Sequence, residues 1–299
     1  MINSILGELT PKHIANEVGI AGRQGAKPVV LVEGESDKAL FLQFFSVNRD
    51  EMLPTFGKVN LLLVIAECIA RRWRYVIGIV DSDDEAIAPP TGIGSRPIGT
   101  ELVETGVRDA EVLVLTATRV IMRMVDVWAD PSLLARRSSL SIAEEAIRWS
   151  LEQCYGIGCL RRASVSGKWE LPMDALPLDT ILTIESGLNV NLLITVLVAR
   201  RASLTDEQLQ TALESEKAKH ENNNVPPTVI CRGHDVAAAM AIYFRKVLGA
   251  RSVGRELLEK TARAIYGVED FKRSELLPQL RVWERITGQR ALVDALRET

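Results

Sequence analysis

VVLVEGESD at residues 29–37 and IGIVDSDDE at residues 77–85 share one pattern, an apolar run that ends abruptly in carboxylates. Consecutive apolar residues before a turn signal are typical of a strand that is buried in a parallel sheet. The carboxyl ends of parallel strands meet at one edge of the sheet, where ligands bind in open α/β folds. The two stretches therefore predict that Glu33, Asp81 and Asp83 lie at one sheet edge.

Carboxylates gathered in one pocket repel each other unless a cation lies among them. Hard oxygen ligands select Mg²⁺ or Mn²⁺, and such a metal commonly works on phosphates. Asp81 and Asp83 are two residues apart, so an extended chain places both on the same face. Glu33 could be a ligand of the same metal, a ligand of a second metal, or a general base. The alternative is that these carboxylates only cap loops and helix starts.

The surrounding segments predict an α/β domain over residues 28–130. Strands are expected at Pro28–Val32, Met52–Phe56, Tyr75–Val80 and Ile98–Glu104. Helices are expected at Asp37–Val47 with Ser36 as its cap, at 57–70, and from about Asp109 to Trp128. This alternation of strands and helices indicates a parallel sheet flanked by helices.

The two ends of the chain lie outside this predicted domain. Residues 1–27 are interpreted as a lead-in, a short helix or irregular segment followed by a glycine-rich linker with Gly19, Gly22 and Gly25. Asp130 precedes a proline and therefore resists helical geometry, which puts the domain boundary there. Residues 131–299 are predicted to be mainly helical and to serve oligomerisation, partner binding or substrate binding. Helical periodicity is clearest at 141–155, 190–201, 205–220, 236–248 and 257–266.

Composition narrows the class of protein. The chain has 299 residues, 47% of them hydrophobic and 25% charged, with a formal net charge of −3. It is not globally basic, so a nucleic-acid surface has to be a local patch. No run is long enough to span a membrane and no signal-peptide pattern opens the chain, so a cytoplasmic protein is expected. The four cysteines lack the spacing of a zinc site, and we expect them to be buried and reduced.

A glutamate after the first strand and an Asp-x-Asp after a later strand resemble the TOPRIM domain. The resemblance covers about residues 28–125, with Glu33 matching the TOPRIM glutamate and Asp81 and Asp83 matching the paired aspartates. TOPRIM domains occur in topoisomerases, in DnaG-type primases and in nucleases of the OLD group. The resemblance implies a site for Mg²⁺ or Mn²⁺. No tyrosine is singled out for topoisomerase chemistry and no zinc domain for a primase, which leaves nuclease as the best enzymatic choice.

Further residues match the nuclease branch of this superfamily. Asp37 fits its Glu-Gly-x-x-Asp signature and would either bind the metal or position a residue that does. Gly57-Lys58 resembles a Gly-Lys element of OLD-like proteins. Asp109 and Glu111 resemble an Asp-x-Glu pair in a smaller branch, where they would complete a second metal site. The stretch CRGHD at residues 231–235 also looks like that branch. For each carboxylate the plain alternative is a charge in the first turn of a helix.

The size and the two-part layout look most like the TOPRIM effectors of PARIS anti-phage systems. This resemblance implies a nuclease of tRNA, other RNA or DNA that a separate ABC-type ATPase restrains until infection. It also allows a homodimer to form on release. The chain carries no Walker A sequence of its own.

Basic residues supply the remaining candidates. Lys58 follows a glycine at a predicted helix start, which suits a phosphate, although a solvated surface lysine fits equally well. Arg71, Arg72 and Arg74 surround a tryptophan and could hold nucleic acid, or they could simply favour the dipole at a helix end. The rival to a nuclease is a catalytically silent TOPRIM module that binds nucleic acid or regulates an ATPase assembly.

Overall fold

The computed structural model describes residues 10–24, 28–82, 101–174, 176–200 and 204–297. These residues divide into two compact units. The first consists of Met1–Gly106 together with Gly267–Thr299, and the second of Val107–Tyr266. The predicted boundary near residue 130 falls inside the second unit, and the last stretch of the chain belongs to the unit with the sheet.

The first unit contains a parallel sheet and the helices around it. Its strands are β1 (Val29–Val32), β2 (Met52–Pro54), β3 (Val76–Val80) and β4 (Leu102–Glu104). Its α-helices before Gly106 are α1 (Pro11–Gln24), α2 (Glu35–Phe41) and α3 (Lys58–Ala70). Short 3-10 helices cover Leu42–Phe44, Arg49–Glu51 and Asp294–Leu296.

The strand order is β2-β1-β3-β4, and every neighbouring pair is parallel. Val30 faces Met52 on one side and Ile77 on the other, while Gly78 faces Leu102. All residues of β1 and β3 are buried, as expected for a sheet that is covered on both faces. The predicted parallel sheet in the N-terminal region is therefore confirmed.

Helices α1 and α3 share a hydrophobic core with one face of the sheet. Ile14 and Val18 pack there with Leu61, Ile65 and alternate residues of β1 and β3. Burial of this apolar surface is what holds the two helices on the sheet.

The predicted glycine-rich linker is wrong for Gly19 and Gly22, which both lie inside α1. A Cβ atom at Gly19 would lie 2.7 Å from the ring of Trp73, and one at Gly22 would lie 2.1 Å from the ring of Tyr75. The two glycines thus let α1 approach these stacked rings, whose centroids are 5.9 Å apart. Gly25 lies outside the described residues.

Two predicted helices differ in their limits. Helix α2 begins at Glu35 rather than after Ser36, because Asp37 reaches back and accepts a hydrogen bond from Gly34 N–H. The helix predicted from Asp109 to Trp128 is divided into α4 (Ala110–Leu115) and α5 (Thr118–Trp128). The hydroxyl of Thr116 donates to Val112 O between them, at 2.7 Å, which satisfies a carbonyl at the end of α4.

Among its described residues, the second unit is mainly helical and contains a two-stranded ribbon, which confirms the mainly helical prediction for this part of the chain. After α4 and α5 it contains α6 (Pro131–Leu134), the 29-residue α7 (Ser139–Gly167) and α8 (Leu178–Ile181). Strands β5 (Leu182–Thr183) and β6 (Gly187–Leu188) pair antiparallel. They precede α9 (Val190–Arg200), α10 (Asp206–Asn222), α11 (Pro227–Ile230), α12 (Gly233–Lys246) and α13 (Arg255–Ile265). Helix α7 packs against α5, α10 and α12.

The C-terminal segment returns to the first unit and completes it. It forms α14 (Val268–Phe271) and α15 (Leu276–Thr287), and its Phe271 stacks on Phe44 with ring centroids 4.3 Å apart. Leu292 forms an isolated antiparallel bridge with Phe45. These contacts explain why residues 267–299 belong with the sheet although they are distant from it in sequence.

The four cysteines are free and buried, as the sequence predicts. Burial raises the pKa of Cys68 to about 12 and that of Cys159 to about 11. Both thiols therefore stay protonated at neutral pH and act as small apolar side chains. In the part of the chain that the structure describes, no helix combines the length and the apolar character that crossing a bilayer requires.

Candidate functional site

The candidate site lies at the carboxyl edge of the sheet, between β1 and β3. The chain proceeds from β1 outward to β2, and then returns to β3 on the other side of β1 and continues to β4. A reversal of strand order of this kind leaves a crevice at the carboxyl ends of the two central strands. Glu33 directly follows β1 and Asp81 directly follows β3, so both residues lie at this crevice.

Glu33 and Asp81 are brought into direct contact. The backbone N–H of Asp81 donates to Glu33 Oε1 at 2.8 Å. The backbone carbonyl of Glu33 accepts a hydrogen bond from Gly57 N–H at 2.9 Å. Both acidic residues are half-buried. The hydrogen bond therefore fixes the glutamate across the ends of the two central strands, with one of its oxygens beside the start of the Asp-x-Asp segment.

Lys58 is buried at the same edge, with a relative exposure of 6%. Its Nζ donates to the backbone carbonyl of Asp81 at 2.8 Å, across 23 positions of sequence. The preceding Gly57 has a φ of 119°, a left-handed value that favours glycine. This geometry excludes the solvated surface lysine that the sequence left open. It places a positive charge next to the backbone of Asp81.

The end of β4 contributes polar groups that the sequence reasoning missed. Ser82 N–H donates to Thr105 Oγ1 at 3.3 Å, and the Ser82 hydroxyl lies 3.4 Å from Glu104 Oε2. Gly106 N–H in turn donates to the Ser82 hydroxyl at 3.1 Å. Ser82 stands between the two predicted aspartates, so its contacts bring a third carboxylate, that of Glu104, close to the Asp-x-Asp segment.

The position of Glu104 is set by the C-terminal segment. Gln279 in α15 accepts from Glu104 N–H at 3.1 Å and donates to Glu104 O at 2.9 Å. A side-chain amide thus satisfies both backbone groups of an edge-strand residue in the way that a neighbouring strand would. Sequence offers no signal for this pairing, because the two residues are 175 positions apart.

The donor chemistry at this edge fits a hard divalent cation. Glu33 and Asp81 offer carboxylate oxygens, with Glu104 beyond Ser82, and oxygen ligands are those that Mg²⁺ and Mn²⁺ prefer. Within the described ranges no group of three or more metal-ligating side chains is already assembled. Asp83, the second aspartate of the predicted set, lies outside the described residues.

Asp37 is close to this edge in sequence and has a defined contact. Its Oδ2 accepts the Gly34 N–H at 2.9 Å, one residue after Glu33. The interaction fixes the turn from β1 into α2 and thereby the backbone that carries Glu33. This contact favours a positioning role for Asp37, which holds the backbone of Glu33 through the hydrogen bond to Gly34 N–H.

The predicted arginine cluster lies at the far end of α3 from Lys58. A helix of 13 residues is about 20 Å long, so the cluster is at the opposite edge of the sheet. Arg71 pairs with Glu67 at 2.7 Å, and its guanidinium lies 5.0 Å from the centre of the Trp73 ring. Arg72 and Arg74 are exposed. Arg71 is thus held by protein partners, while the other two arginines point to solvent.

Asp109 and Glu111 lie in the second unit and have protein partners there. Asp109 caps α4 by accepting Val112 N–H at 2.9 Å, and it also accepts Gly233 N–H at 2.8 Å. Burial raises the pKa of Asp109, and the two backbone hydrogen bonds oppose that rise. Glu111 forms an ion pair with Arg263 of α13. Both carboxylates therefore tie α4 to the helices that pack against it.

His234, from the CRGHD stretch, forms a close pair with a buried glutamate. Its Nδ1 lies 2.8 Å from Glu259 Oε1, which joins the first turn of α12 to α13. This hydrogen bond raises the pKa of His234, although burial opposes the rise. Nearby charges are Arg232, Asp109 and Arg255, the last 3.8 Å from the same glutamate oxygen.

We expect the stability of the protein to fall as the pH rises through the pKa of folded His234. The pKa of His234 is higher in the folded protein than its ordinary value of 6.5 in the unfolded chain. The pair with Glu259 therefore stabilises the fold fully at pH values below 6.5, and this stabilisation is lost as the pH rises through the folded pKa. The effect is small, since 41% of the histidine side chain is exposed. Urea unfolding of His234→Gln at pH values from 6 to 9 should show a flatter profile than the wild type. His13→Gln, at an exposed histidine, is the matched control; an identical profile for His234→Gln and the wild type would contradict the assignment.

Comparisons of the chain with protein-family models, with curated proteins and with solved structures found no match in any of the three. The resemblance to TOPRIM nucleases thus stays a prediction that depends on the residues themselves.

Proposed function

We propose that this protein is a metal-dependent nuclease whose site is built at the carboxyl edge of the sheet. One observation carries the proposal: Glu33 and Asp81 are joined by a 2.8 Å hydrogen bond at the reversal of strand order, with Lys58 buried beside them. Glu33 and Lys58 both direct a charged side chain to the backbone of Asp81, so groups of opposite charge meet at the start of the Asp-x-Asp segment. The TOPRIM resemblance supports the same reading.

The proposed ligands of Mg²⁺ or Mn²⁺ are Glu33, Asp81 and Asp83. When bound, such a metal polarises a phosphate and lowers the pKa of a bound water. Around it the chain contributes fixed groups. The Asp81 N–H orients the Glu33 carboxylate, and the buried Lys58 ammonium supplies positive charge for a phosphate or for the neighbouring carboxylates.

The biological setting that we propose follows the resemblance. The protein would act in the cytoplasm as a toxic effector against phage, cleaving tRNA, other RNA or DNA. A separate ABC-type ATPase would control it, and a homodimer would form on release. In this setting Arg72 and Arg74, which are exposed, would contribute to nucleic-acid binding together with Arg71.

The proposal is tested by expressing the wild-type chain and Glu33→Ala, each with and without an ATPase encoded beside it, under phage challenge. We expect growth arrest and new fragments of tRNA, other RNA or DNA on a gel for the wild type only. Glu35→Ala, at an exposed carboxylate two residues away, should behave like the wild type. Equal behaviour of the wild type and Glu33→Ala, with both proteins folded, would overturn the nuclease.

A second candidate function is a catalytically silent module that binds nucleic acid or regulates an ATPase assembly. The observation that favours it is that the charged groups of the site already form hydrogen bonds with the protein backbone. Glu33 Oε1 already accepts the Asp81 N–H, and Lys58 Nζ already donates to a backbone carbonyl. If the wild type and Glu33→Ala bind nucleic acid equally and neither cleaves it, the protein is a binding module and not a nuclease.

A further inference from the structure

A cavity of about 660 Å³ lies in the C-terminal segment and is lined by four arginines. It is formed by the second half of α15 and by the residues that follow, up to the 3-10 helix at Asp294–Leu296. The lining arginines are Arg281, Arg285, Arg290 and Arg297. Two acidic residues, Glu284 and Asp294, also contribute. The local charge is therefore positive in a chain whose formal net charge is −3.

The acidic residues of this cavity are used by the protein. Glu284 Oε1 accepts two backbone hydrogen bonds, from Ala291 at 2.6 Å and from Leu292 at 2.8 Å. These bonds hold the chain as it returns past the left-handed Gly288 at the end of α15. Asp294 pairs with Arg297 Nη1 at 2.8 Å and is otherwise largely exposed. Glu284 Oε1 also lies 3.6 Å from Arg297 Nη2. Both carboxylates therefore pair with Arg297, and among the described residues neither forms an ion pair with Arg285 or Arg290.

Two of the arginines are fixed as part of the cavity wall. Arg281 donates to Leu296 O from Nε at 3.2 Å and from Nη2 at 2.6 Å. Arg297 is held by its ion pairs with Asp294 and with Glu284, whose Oε1 lies 3.6 Å from Nη2. Its buried Nε and Nη2 make no hydrogen bond within the described part of the chain. Fixed guanidinium groups lose little freedom when an anion binds.

The other two arginines have no protein partner in the described ranges. Arg285 and Arg290 are exposed, and among residues 10–297 as described no hydrogen bond or ion pair is made by either side chain. One arginine in the last turn of α15 is explained by the helix dipole. The dipole does not explain four arginines around one concave surface, because its effect fades beyond the last turn.

We infer that this cavity binds a ligand that carries two or more phosphate groups. Guanidinium forks match phosphate oxygens in pairs, and a cavity of this size is within the range of small-molecule sites. The same chemistry is offered by a free nucleoside polyphosphate and by the backbone of a nucleic acid. The site is independent of the proposed nuclease, since none of its lining residues belongs to the sheet edge.

Calorimetric titration with inorganic pyrophosphate tests the site directly. The wild type should bind it saturably, and Arg285→Gln with Arg290→Gln should bind it at least about tenfold more weakly. Removing the pair should leave the fold intact, because both side chains are exposed and neither is bonded to a described residue. Thermal unfolding checks this. Arg49→Gln with Arg251→Gln changes the net charge equally at two exposed arginines elsewhere and should bind like the wild type. Replacement of the pair by lysines should give an intermediate affinity.

Two further titrations distinguish the sources of the phosphates. The ligand is a free nucleotide if ADP binds, if this binding is weakened in the Arg285→Gln/Arg290→Gln variant, and if a short single-stranded RNA shows no binding that depends on these arginines. The opposite result assigns the cavity to a nucleic-acid backbone. Absence of saturable pyrophosphate binding by the wild type, or equal weakening in both double variants, would overturn the inference whether or not the protein is a nuclease.

Discussion

Replacing either sheet-edge carboxylate by its amide is expected to lower metal-dependent cleavage of nucleic acid by about a thousandfold or more. The variants are Glu33→Gln and Asp81→Asn. Each removes a negative charge that the proposed metal needs and changes the side-chain volume very little. The rate is measured with Mg²⁺ present, on the polymer that the wild type cleaves in cells, and again after the metal is removed with EDTA.

The glutamine variant is chosen because it preserves the local structure. A glutamine at position 33 keeps an Oε1 oxygen that can accept the Asp81 N–H now donated to the glutamate at 2.8 Å. The variant should therefore unfold at nearly the same temperature as the wild type while its activity is lost. Glu35→Gln removes the same charge from an exposed side chain in the first turn of α2, and should keep full activity.

The double variant supplies the sharper test. Residues that hold one metal act as a unit, so the loss in Glu33→Gln/Asp81→Asn should be no greater than in either single variant. If the two losses multiply instead, the carboxylates act independently and do not share a metal. A rate within tenfold of the wild type in either single variant would contradict the proposed site.

The positions of Glu33 and Asp81 at one sheet edge were predictable because they depend on short sequence patterns and on the parallel sheet that those patterns indicate. A buried strand followed by a carboxylate occurs twice, and the parallel topology brings the two strand ends together. The role of Lys58 was predictable only in part. The sequence shows the Gly-Lys pair, but it does not show that the ammonium group of the lysine donates to Asp81 O. The parts at Glu104 and Gln279 were not predictable, because they depend on a contact between residues 175 positions apart.

Two of the differences between the predicted and the observed helices involve glycine. Glycine usually interrupts a helix, because it loses more conformational entropy than alanine when it is fixed. Gly19 and Gly22 therefore favoured a linker. The helix predicted at 141–155 stops just before Gly156 and Gly158. In the structure these glycines are inside α1 and α7, where the missing side chain allows close packing. Tertiary contact outweighs local propensity at these positions.

Substitution of Gly158 by alanine measures the balance between tertiary packing and helix propensity. Alanine is the better helix former, yet it should destabilise the protein at this position. A Cβ atom at this position would lie 2.5 Å from the backbone oxygen of Ile230 and 2.8 Å from its Cγ2. That oxygen also accepts Arg108 Nη1 at 3.1 Å, so α11 cannot move away without weakening a second contact. Overpacking of about 3 kcal/mol, less about 1 kcal/mol of helix propensity, leaves Gly158→Ala about 2 kcal/mol less stable.

The matched control is Gly156→Ala, two residues away on the same helix. Its Cβ would lie 3.0 Å from the end of the Leu188 side chain, which can rotate aside, so the helix-propensity gain should roughly cancel a small packing loss. Urea unfolding followed by circular dichroism should therefore show a clearly lower midpoint for Gly158→Ala than for Gly156→Ala, with the slope unchanged. Equal stability of the two variants would mean that α7 and α11 separate easily, and that α7 accommodates its glycines without needing them for close packing.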